Sequence, residues 1–320
     1  MKPKVLITYI MVPEALKKIK IFAEIKIKSS LSKKQLLKEV KDIDAVILGT
    51  DNFDRELINS ATRLKIIARF GVGYNNIDIK SSTRKKIFVT YTPDVLSDAV
   101  ADLTFGFILA FSRKIIQAND HIKTGNWSEN APFPLGSDLK NKTLGIIGLG
   151  RIGIKVAERA CAFNMRLIYF SRTRKNRIEK KYGIKFRTFK DLLKESDYIS
   201  INVPLTKENE RMIGKEEFKF MKKNSFLINT ARGEVIDQQS LYQALKNKRI
   251  AGAGLDVFQQ EPIPLNDPIL KLQNVILTPH IGSGTVETRL SMSLMAVNDV
   301  MRVLEGKMPI HLINKDLVEN

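Results

Sequence analysis

"KTLGIIGLGRIGIKVAERACAFNMRLIYF", residues 142–170, decides the fold. An apolar strand-like run leads into GLGRIG, which sets Gly148, Gly150 and Gly153 at the G-x-G-x-x-G spacing. A helix-like amphipathic stretch and a second apolar run follow. Gly148 permits a tight turn, Gly150 lets the backbone approach a pyrophosphate, and Gly153 lets the helix pack on the strand. The N–H groups that open that helix then face the anion. The hexapeptide alone is a weak signal. With a strand before it, a helix after it and a second strand on time, it reads as the first βαβ unit of a dinucleotide-binding fold.

The same alternation extends both ways. "KVLITY", "DAVILG", "LKIIARF" and "IFVTYT" in the first hundred residues read as strands, separated by helical patterns such as "SKKQLLKEVKDI", with Ser32 as N-cap. "YISINVP", "SFLINTARG", "AGAGLDVF" and "VILTPHIG" continue the series after the glycines. The expected class is α/β: a doubly wound parallel Rossmann sheet plus a smaller α/β domain. Residues 94–123 read as a long buried helix, with room for an interruption, linking two domains. Residues 125–142 break all periodicity with Gly, Pro and Asn. They are expected to form a loop or arm whose Trp127, Phe133 and Leu135 suit docking on a second subunit.

Composition bounds the function. The chain has 320 residues, 43% of them hydrophobic, which suits about two globular domains. No apolar run approaches the ~18 residues of a membrane helix, and the N-terminus reads as a strand followed by a helix start, so no membrane partner and a cytoplasmic location are expected. The net charge of +19 raises nucleic acid as a partner. The bases are dispersed in pairs such as Lys17-Lys18 and Lys222-Lys223, without any nucleic-acid-binding motif, and read as solvated helix faces. No specific nucleic acid is expected. The single cysteine, Cys161, reads as small core filler beside Phe163, and nothing points to a metal.

In an open parallel sheet, ligands sit outside the carboxyl ends of the strands. Pro204, Thr230, Arg232, Asp256, Glu261 and His280 all fall there. His280 is one of three histidines; His121 and His311 end no such strand and read as surface residues. An arginine, a carboxylate and a histidine beside a nicotinamide suit reduction of a 2-oxo acid. The arginine pairs with the substrate carboxylate and polarises its carbonyl. The histidine gives a proton to the developing alkoxide while the carboxylate orients its other ring nitrogen. Singly, each has a structural alternative: Arg232 as a strand cap, Glu261 as a turn residue beside Pro262, His280 as a satisfied loop histidine.

The ordered set "VGYNNID", "TPDVLSDAVADLTFG", "GIIGLGRIG", "NTARGEVID", "AGAGLDVF", "EP" and "TPHIGS" resembles the D-isomer-specific 2-hydroxyacid dehydrogenases over nearly the whole chain, most of all the glyoxylate/hydroxypyruvate reductases. The resemblance implies a flavodoxin-like substrate domain of residues 1–98 plus 287–320, a dinucleotide domain of 99–286 and a homodimer. It places Arg232, Glu261 and His280 in the catalytic roles above, and the backbone of Val72 and Gly73, with Arg232, on the substrate carboxylate. Arg151, Ile152, Val203, Pro204, Thr230, Ala231, Asp256, His280 and Gly282 match cofactor-contacting positions, Asp256 against the nicotinamide carboxamide. The phosphite dehydrogenase branch carries a lysine in place of Val72, and the chain length is expected to leave no room for the regulatory domain of the long phosphoglycerate dehydrogenases. D-3-phosphoglycerate dehydrogenation stays open as a second activity. A corepressor-like NAD(P) sensor stays open as a reading of another class.

The cofactor is read from residues 171–177. An NAD-binding unit carries an acid about 20 residues beyond the glycines to bond the ribose 2'-hydroxyl. Ser171 stands there instead, and Arg172, Arg174, Lys175 and Arg177 crowd the turn. Ser171, Arg172 and Thr173 are expected to cradle a 2'-phosphate, making NADP the preferred cofactor and NAD the other candidate. The alternative is a solvated basic loop.

Overall fold

A computed structural model describes residues 2–29, 31–128 and 133–318. They form two compact units, residues 1–96 with 283–320 and residues 97–282.

The first unit is built on β1 (Lys4–Ile7), β2 (Glu24–Ile27), β3 (Ala45–Leu48), β4 (Ile66–Arg69) and β5 (Phe88–Thr90). They are all parallel, in the order β2-β1-β3-β4-β5, which is the flavodoxin-like order. All four residues of β3 and of β4 are buried, as helices on both faces require. β2 is the one strand here that the apolar pattern does not announce. It lies at the sheet edge, its EIKI is largely exposed, and it is held by pairing with β1. Ser32 caps its helix as expected, in a capping box with Gln35.

The C-terminal segment returns to this unit. The helix Val286–Leu304 packs on β3, β4 and the helix Pro13–Phe22. Asn314, buried, then accepts the Val89 N–H at 2.9 Å and donates to the Ile87 carbonyl at 2.9 Å. His311 is not the surface residue the sequence suggests: its Nδ1 lies 2.9 Å from Oδ2 of the buried Asp299, because the returning chain is fastened across that helix.

The second unit holds β6 (Thr143–Ile147), β7 (Arg166–Phe170), β8 (Lys185–Phe186), β9 (Tyr198–Ile201), β10 (Phe226–Asn229), β11 (Gly252–Leu255) and β12 (Val275–Leu277). All pairings are parallel, in the order β12-β11-β10-β9-β6-β7-β8. The chain winds one way from β6 to β8 and then crosses to β9 on the other side of β6. The switch point therefore lies between the ends of β6 and β9, where a doubly wound sheet binds its ligand. One apolar core joins this sheet to the helices Ser97–Ser112 and Arg151–Ala162, another to Leu192, Leu193, Phe218 and Leu241 on the opposite face. Two-residue β8 is too short to be read from periodicity.

Residues 94–123 are interrupted, and only the first part is the buried helix that was expected. The helix Ser97–Ser112 is buried along most of its length, but the chain breaks at Lys114, whose φ is 54°, and the helix Ile115–Lys123 buries no residue. Ile115, Ile116 and Ile122 stay exposed, as do Trp127 (73%) and Leu135 (90%) on the arm. Residues 129–132 of that arm lie outside the described residues. His121 is only partly exposed, with its ring 5.3 Å from that of Phe133 and its Nε2 buried. Cys161 is exposed, not core filler. On its helix Gly153, Val156, Ala157 and Ala160 form the buried stripe, and residue 161 falls about 100° round from the last of them.

Candidate active site

Because every strand of the second unit is parallel, the ends of β6, β7, β9, β10, β11 and β12 share one edge of its sheet. The glycines end β6. Gly148 takes φ +93°, and a Cβ there would lie 2.7 Å from the Asn202 carbonyl oxygen and from Cγ1 of Val203, so only glycine fits. A Cβ at Gly153 would lie 2.2 Å from the Gly148 carbonyl oxygen, which is the close helix-to-strand contact this position demands. Gly150 is different: nothing lies within 4 Å of its Cβ position, and no side chain caps the helix it opens. The first-turn amides of Arg151 and Ile152 thus face an open cradle that a side chain would fill. That arrangement fits a pyrophosphate.

β7 ends in the basic turn. The Ser171 hydroxyl donates to the Thr173 carbonyl at 2.7 Å. Tyr169, fully buried, uses its hydroxyl to accept the Lys175 N–H and to donate to Glu179, both at 2.7 Å, which fixes the turn to the helix behind it. Glu179 also takes the Arg174 guanidinium in a two-point pair at 2.9 Å. Arg174 and then Tyr169 hold its carboxyl down at about 2. Arg172 makes no ion pair among the described residues, and its charge is felt at Glu208. The nearest acid in sequence is therefore folded back onto Arg174, leaving Arg172 exposed beside Ser171 and Thr173.

β9 leads to Val203, against the Gly148 turn, and Pro204, whose carbonyl accepts from Asn209 at 2.6 Å. At the end of β10, Asn229 is buried and ties the turn from within, accepting the Ala231 N–H at 3.0 Å and donating to the Arg232 carbonyl at 2.8 Å. Thr230 meets Thr104 hydroxyl to hydroxyl at 3.2 Å. Asn229 opens the NTARGEVID stretch and Thr104 lies in TPDVLSDAVADLTFG, yet neither was singled out, because each acts from inside the fold rather than at an exposed strand end.

Arg232, Glu261 and His280 come together. Nδ1 of His280 lies 2.7 Å from Oε2 of Glu261, whose Oε1 accepts the Phe258 N–H at 3.1 Å. Burial pushes the Glu261 carboxyl up, but the His280 hydrogen bond and charge, the Phe258 amide and the Arg232 charge outweigh it and hold the carboxyl below its usual value. Burial lowers the Arg232 guanidinium from its ordinary value, with Glu261 and then Glu234 opposing the shift. An ionised carboxylate only accepts, so the Nδ1 beside Glu261 carries a proton and Nε2 is the nitrogen left for proton exchange.

Asp256 is almost wholly buried, and its carboxylate is engaged by the turn that carries His280, Gly282 included. Val72 and Gly73 belong to the other unit. They follow β4, where the buried Arg69 donates from Nε to the Gly73 carbonyl at 2.8 Å and Gly71 takes φ +146°. The sequence reading missed Arg69, which stands just before the loop it braces. Among the described residues, no helix is long and apolar enough to cross a membrane, and no cluster of three or more His, Cys, Asp or Glu could hold a metal.

A doubly wound sheet with this glycine cradle and a paired imidazole and carboxylate at its carboxyl edge defines a nicotinamide-dependent oxidoreductase. Residues 105–282 match the family described as D-isomer specific 2-hydroxyacid dehydrogenase, NAD binding domain. A glyoxylate reductase of Thermococcus litoralis is 47% identical over 99% of this chain and 98% of its own. A protein of Thermus thermophilus superposes with a TM-score of 0.90 at 38% identity, covering 97% of this chain and 99% of its own. An NADPH-dependent glyoxylate/hydroxypyruvate reductase of Sinorhizobium meliloti, solved with NADP and malonate, does so with 0.86 at 29% identity, covering 98% and 97%. The chain belongs to the D-isomer specific 2-hydroxyacid dehydrogenases and reduces 2-oxo acids with a nicotinamide cofactor.

Proposed function

We propose that this chain is a glyoxylate or hydroxypyruvate reductase that prefers NADPH. The observation that carries the chemistry is the 2.7 Å contact between His280 and Glu261 beside Arg232. The names of the relatives support the substrate class.

The cradle of Gly148, Gly150, Arg151, Ile152 and Gly153 would hold the pyrophosphate, and Ser171, Arg172 and Thr173 the ribose 2'-phosphate. When bound, the nicotinamide supplies the hydride. Arg232 pairs with the substrate carboxylate, and the family likeness makes the backbone of Val72 and Gly73 a substrate-binding segment of residues 1–98 with 287–320, the proposed substrate domain. The guanidinium draws electron density from the carbonyl. His280 gives its Nε2 proton to the oxygen as negative charge develops there, and Glu261 keeps the ring oriented through Nδ1. Its depressed pKa keeps Glu261 ionised at neutral pH, so it holds that proton without taking it. Two copies associate through the arm and the helix Ile115–Lys123.

The test is the purified protein with NADPH or NADH and a panel of 2-oxo acids, followed by loss of reduced-nicotinamide absorbance. Glyoxylate or hydroxypyruvate should give the highest kcat/KM. Faster interconversion of 3-phosphoglycerate and its 2-oxo acid would replace this reading, and turnover of no 2-oxo acid would end it.

A further inference from the structure

Asn229 is the last residue of β10, paired with Ile201 of β9 on one side and Leu255 of β11 on the other, so its backbone is fixed inside the sheet. Its side chain is buried and turns onto the segment that presents Arg232. Oδ1 accepts the Ala231 N–H at 3.0 Å, and Nδ2 donates to the Arg232 carbonyl at 2.8 Å. The Ala231 carbonyl in turn accepts Nη1 of Arg232 at 2.6 Å. One buried amide therefore fixes both the backbone of Arg232 and the peptide on which its guanidinium rests. The far side of the turn is seated closely too. A Cβ at Gly233 would lie 1.9 Å from the carbonyl carbon of Phe258, whose N–H holds Oε1 of Glu261.

The residue type follows from the two bonds. The side chain must accept from one peptide and donate to the next, which asparagine does and no other side chain of its length can. Aspartate keeps the acceptor but sets its second oxygen against the Arg232 carbonyl, where two acceptors repel. Serine takes the N–H two residues on, as in a serine turn, and is too short for the Arg232 carbonyl as well. That carbonyl would keep only the Val235 N–H, at 3.4 Å. A buried polar group that loses a partner is unfavourable, and the turn moves to relieve it.

We propose that Asn229 is a positioning residue that sets the aim of the Arg232 guanidinium at the substrate carboxylate. The inference rests on the reading of Arg232 as the substrate anchor.

The test uses the full-length protein with Asn229→Asp, Asn229→Ser, Arg232→Ala and the double variant of Asn229→Ser with Arg232→Ala. Turnover of glyoxylate is followed with NADPH, and binding of oxamate, a carboxylate that takes no hydride, is read by calorimetry with NADPH bound. Misplacing an anchoring group by about 1 Å costs on the order of 100-fold, so Asn229→Asp should lower kcat/KM by about that factor and Asn229→Ser by about tenfold. Oxamate affinity should fall with KM. The NADPH dissociation constant, read by nicotinamide fluorescence, should stay within about threefold, since the glycine cradle lies on other strands. The double variant decides: with the guanidinium gone nothing remains to be aimed, so Asn229→Ser should change kcat/KM and oxamate affinity of Arg232→Ala by less than about twofold. Urea denaturation separates folding from aim, and if Asn229→Asp does not fold, the Asn229→Ser cycle stands on its own. A further tenfold loss in the double variant, or a loss confined to NADPH affinity, overturns the proposal. An Arg232→Ala enzyme with the parent's KM and oxamate affinity would instead overturn the assignment of the substrate anchor.

Discussion

Nδ1 of His280 and Oε2 of Glu261 stand 2.7 Å apart, each held by its own backbone anchor: the Asp256 carbonyl takes the His280 N–H, and Oε1 of Glu261 takes that of Phe258. The pair is thus preorganised by its own turns. His280→Ala and Arg232→Ala should each lower kcat/KM by ~100 to 10,000-fold, the range for losing a positioned acid or anchor, whereas His121→Ala should change it little. Glu261→Gln should cost less, since the imidazole remains. Steady-state kinetics of the four variants checks the order, and a His280→Ala enzyme as fast as the parent would refute the assignment.

The glycines give a prediction in which two similar substitutions part company. A Cβ at 153 would meet the Gly148 carbonyl oxygen at 2.2 Å, whereas a Cβ at 150 meets nothing within 4 Å. Gly153→Ala should destabilise the fold by about 1 to 3 kcal/mol, as overpacking does. Gly150→Ala should leave the urea midpoint where it is and weaken NADPH by about tenfold or more, since its methyl group enters only the cradle. Denaturation and cofactor fluorescence read the two effects separately.

Glu179 links stability to pH with a defined sign. Its carboxyl, ordinarily at 4.5, is held at about 2 by Arg174 and Tyr169 in the folded chain. A depressed folded pKa means the contribution is complete above 4.5 and disappears as pH falls toward about 2. The parent should therefore exceed Glu179→Gln in urea midpoint at neutral pH, with the gap narrowing only in that acid window. A gap that widens on acidification would contradict the pairing.

The fold was legible where pattern and burial coincide. The runs that became β3, β4, β9 and β10 are apolar because both faces of each are covered, and the glycines announced the switch point. β2 escaped because an edge strand needs no apolar pattern. The trio was legible because each member follows a strand, a property of order along the chain. What Asp256 touches was not, since the donors from Thr278, Ile281 and Gly282 converge only through the β11–β12 pairing. The pairing of Glu179 with Arg174 was not legible either, since the helix that turns Glu179 back onto Arg174 is what joins them. Cys161 was misplaced by composition, where helical register was the better guide.

The arm yields a quaternary prediction. Trp127 is the only tryptophan and is 73% exposed in the single chain; Leu135, Ile115, Ile116 and Ile122 are exposed on the same stretch of sequence. An interface between two copies, as proposed, would cover this apolar surface. Light scattering should give twice the 36.3 kDa chain mass. Trp127 fluorescence should shift to longer wavelength on dilution into monomer. Ile122→Glu should bring dissociation into the micromolar range, and a monomer of the parent chain at that concentration would end the proposal.

The choice between cofactors turns on the space beside β7. Arg174 is neutralised by Glu179, so Arg172, next in sequence to Ser171 and Thr173, is the guanidinium proposed for a 2'-phosphate. The proton of Ser171 is already given to the Thr173 carbonyl, which leaves Arg172 and Thr173 as the donors. Hydrogen bonds from a charged donor contribute ~1.5 to 3 kcal/mol, so at about 1.4 kcal/mol per decade such bonds to a 2'-phosphate should favour NADPH over NADH by ~10 to 100-fold. A carboxylate at position 171 would repel the phosphate and bond the 2'-hydroxyl instead. Ser171→Asp combined with Arg172→Ala should therefore reverse the preference in kcat/KM while leaving kcat at saturation nearly unchanged. Glu179→Gln should move it the other way, strengthening NADPH by releasing Arg174. Equal kcat/KM with the two cofactors in the parent protein would show that the basic turn at residues 171–177 only faces water.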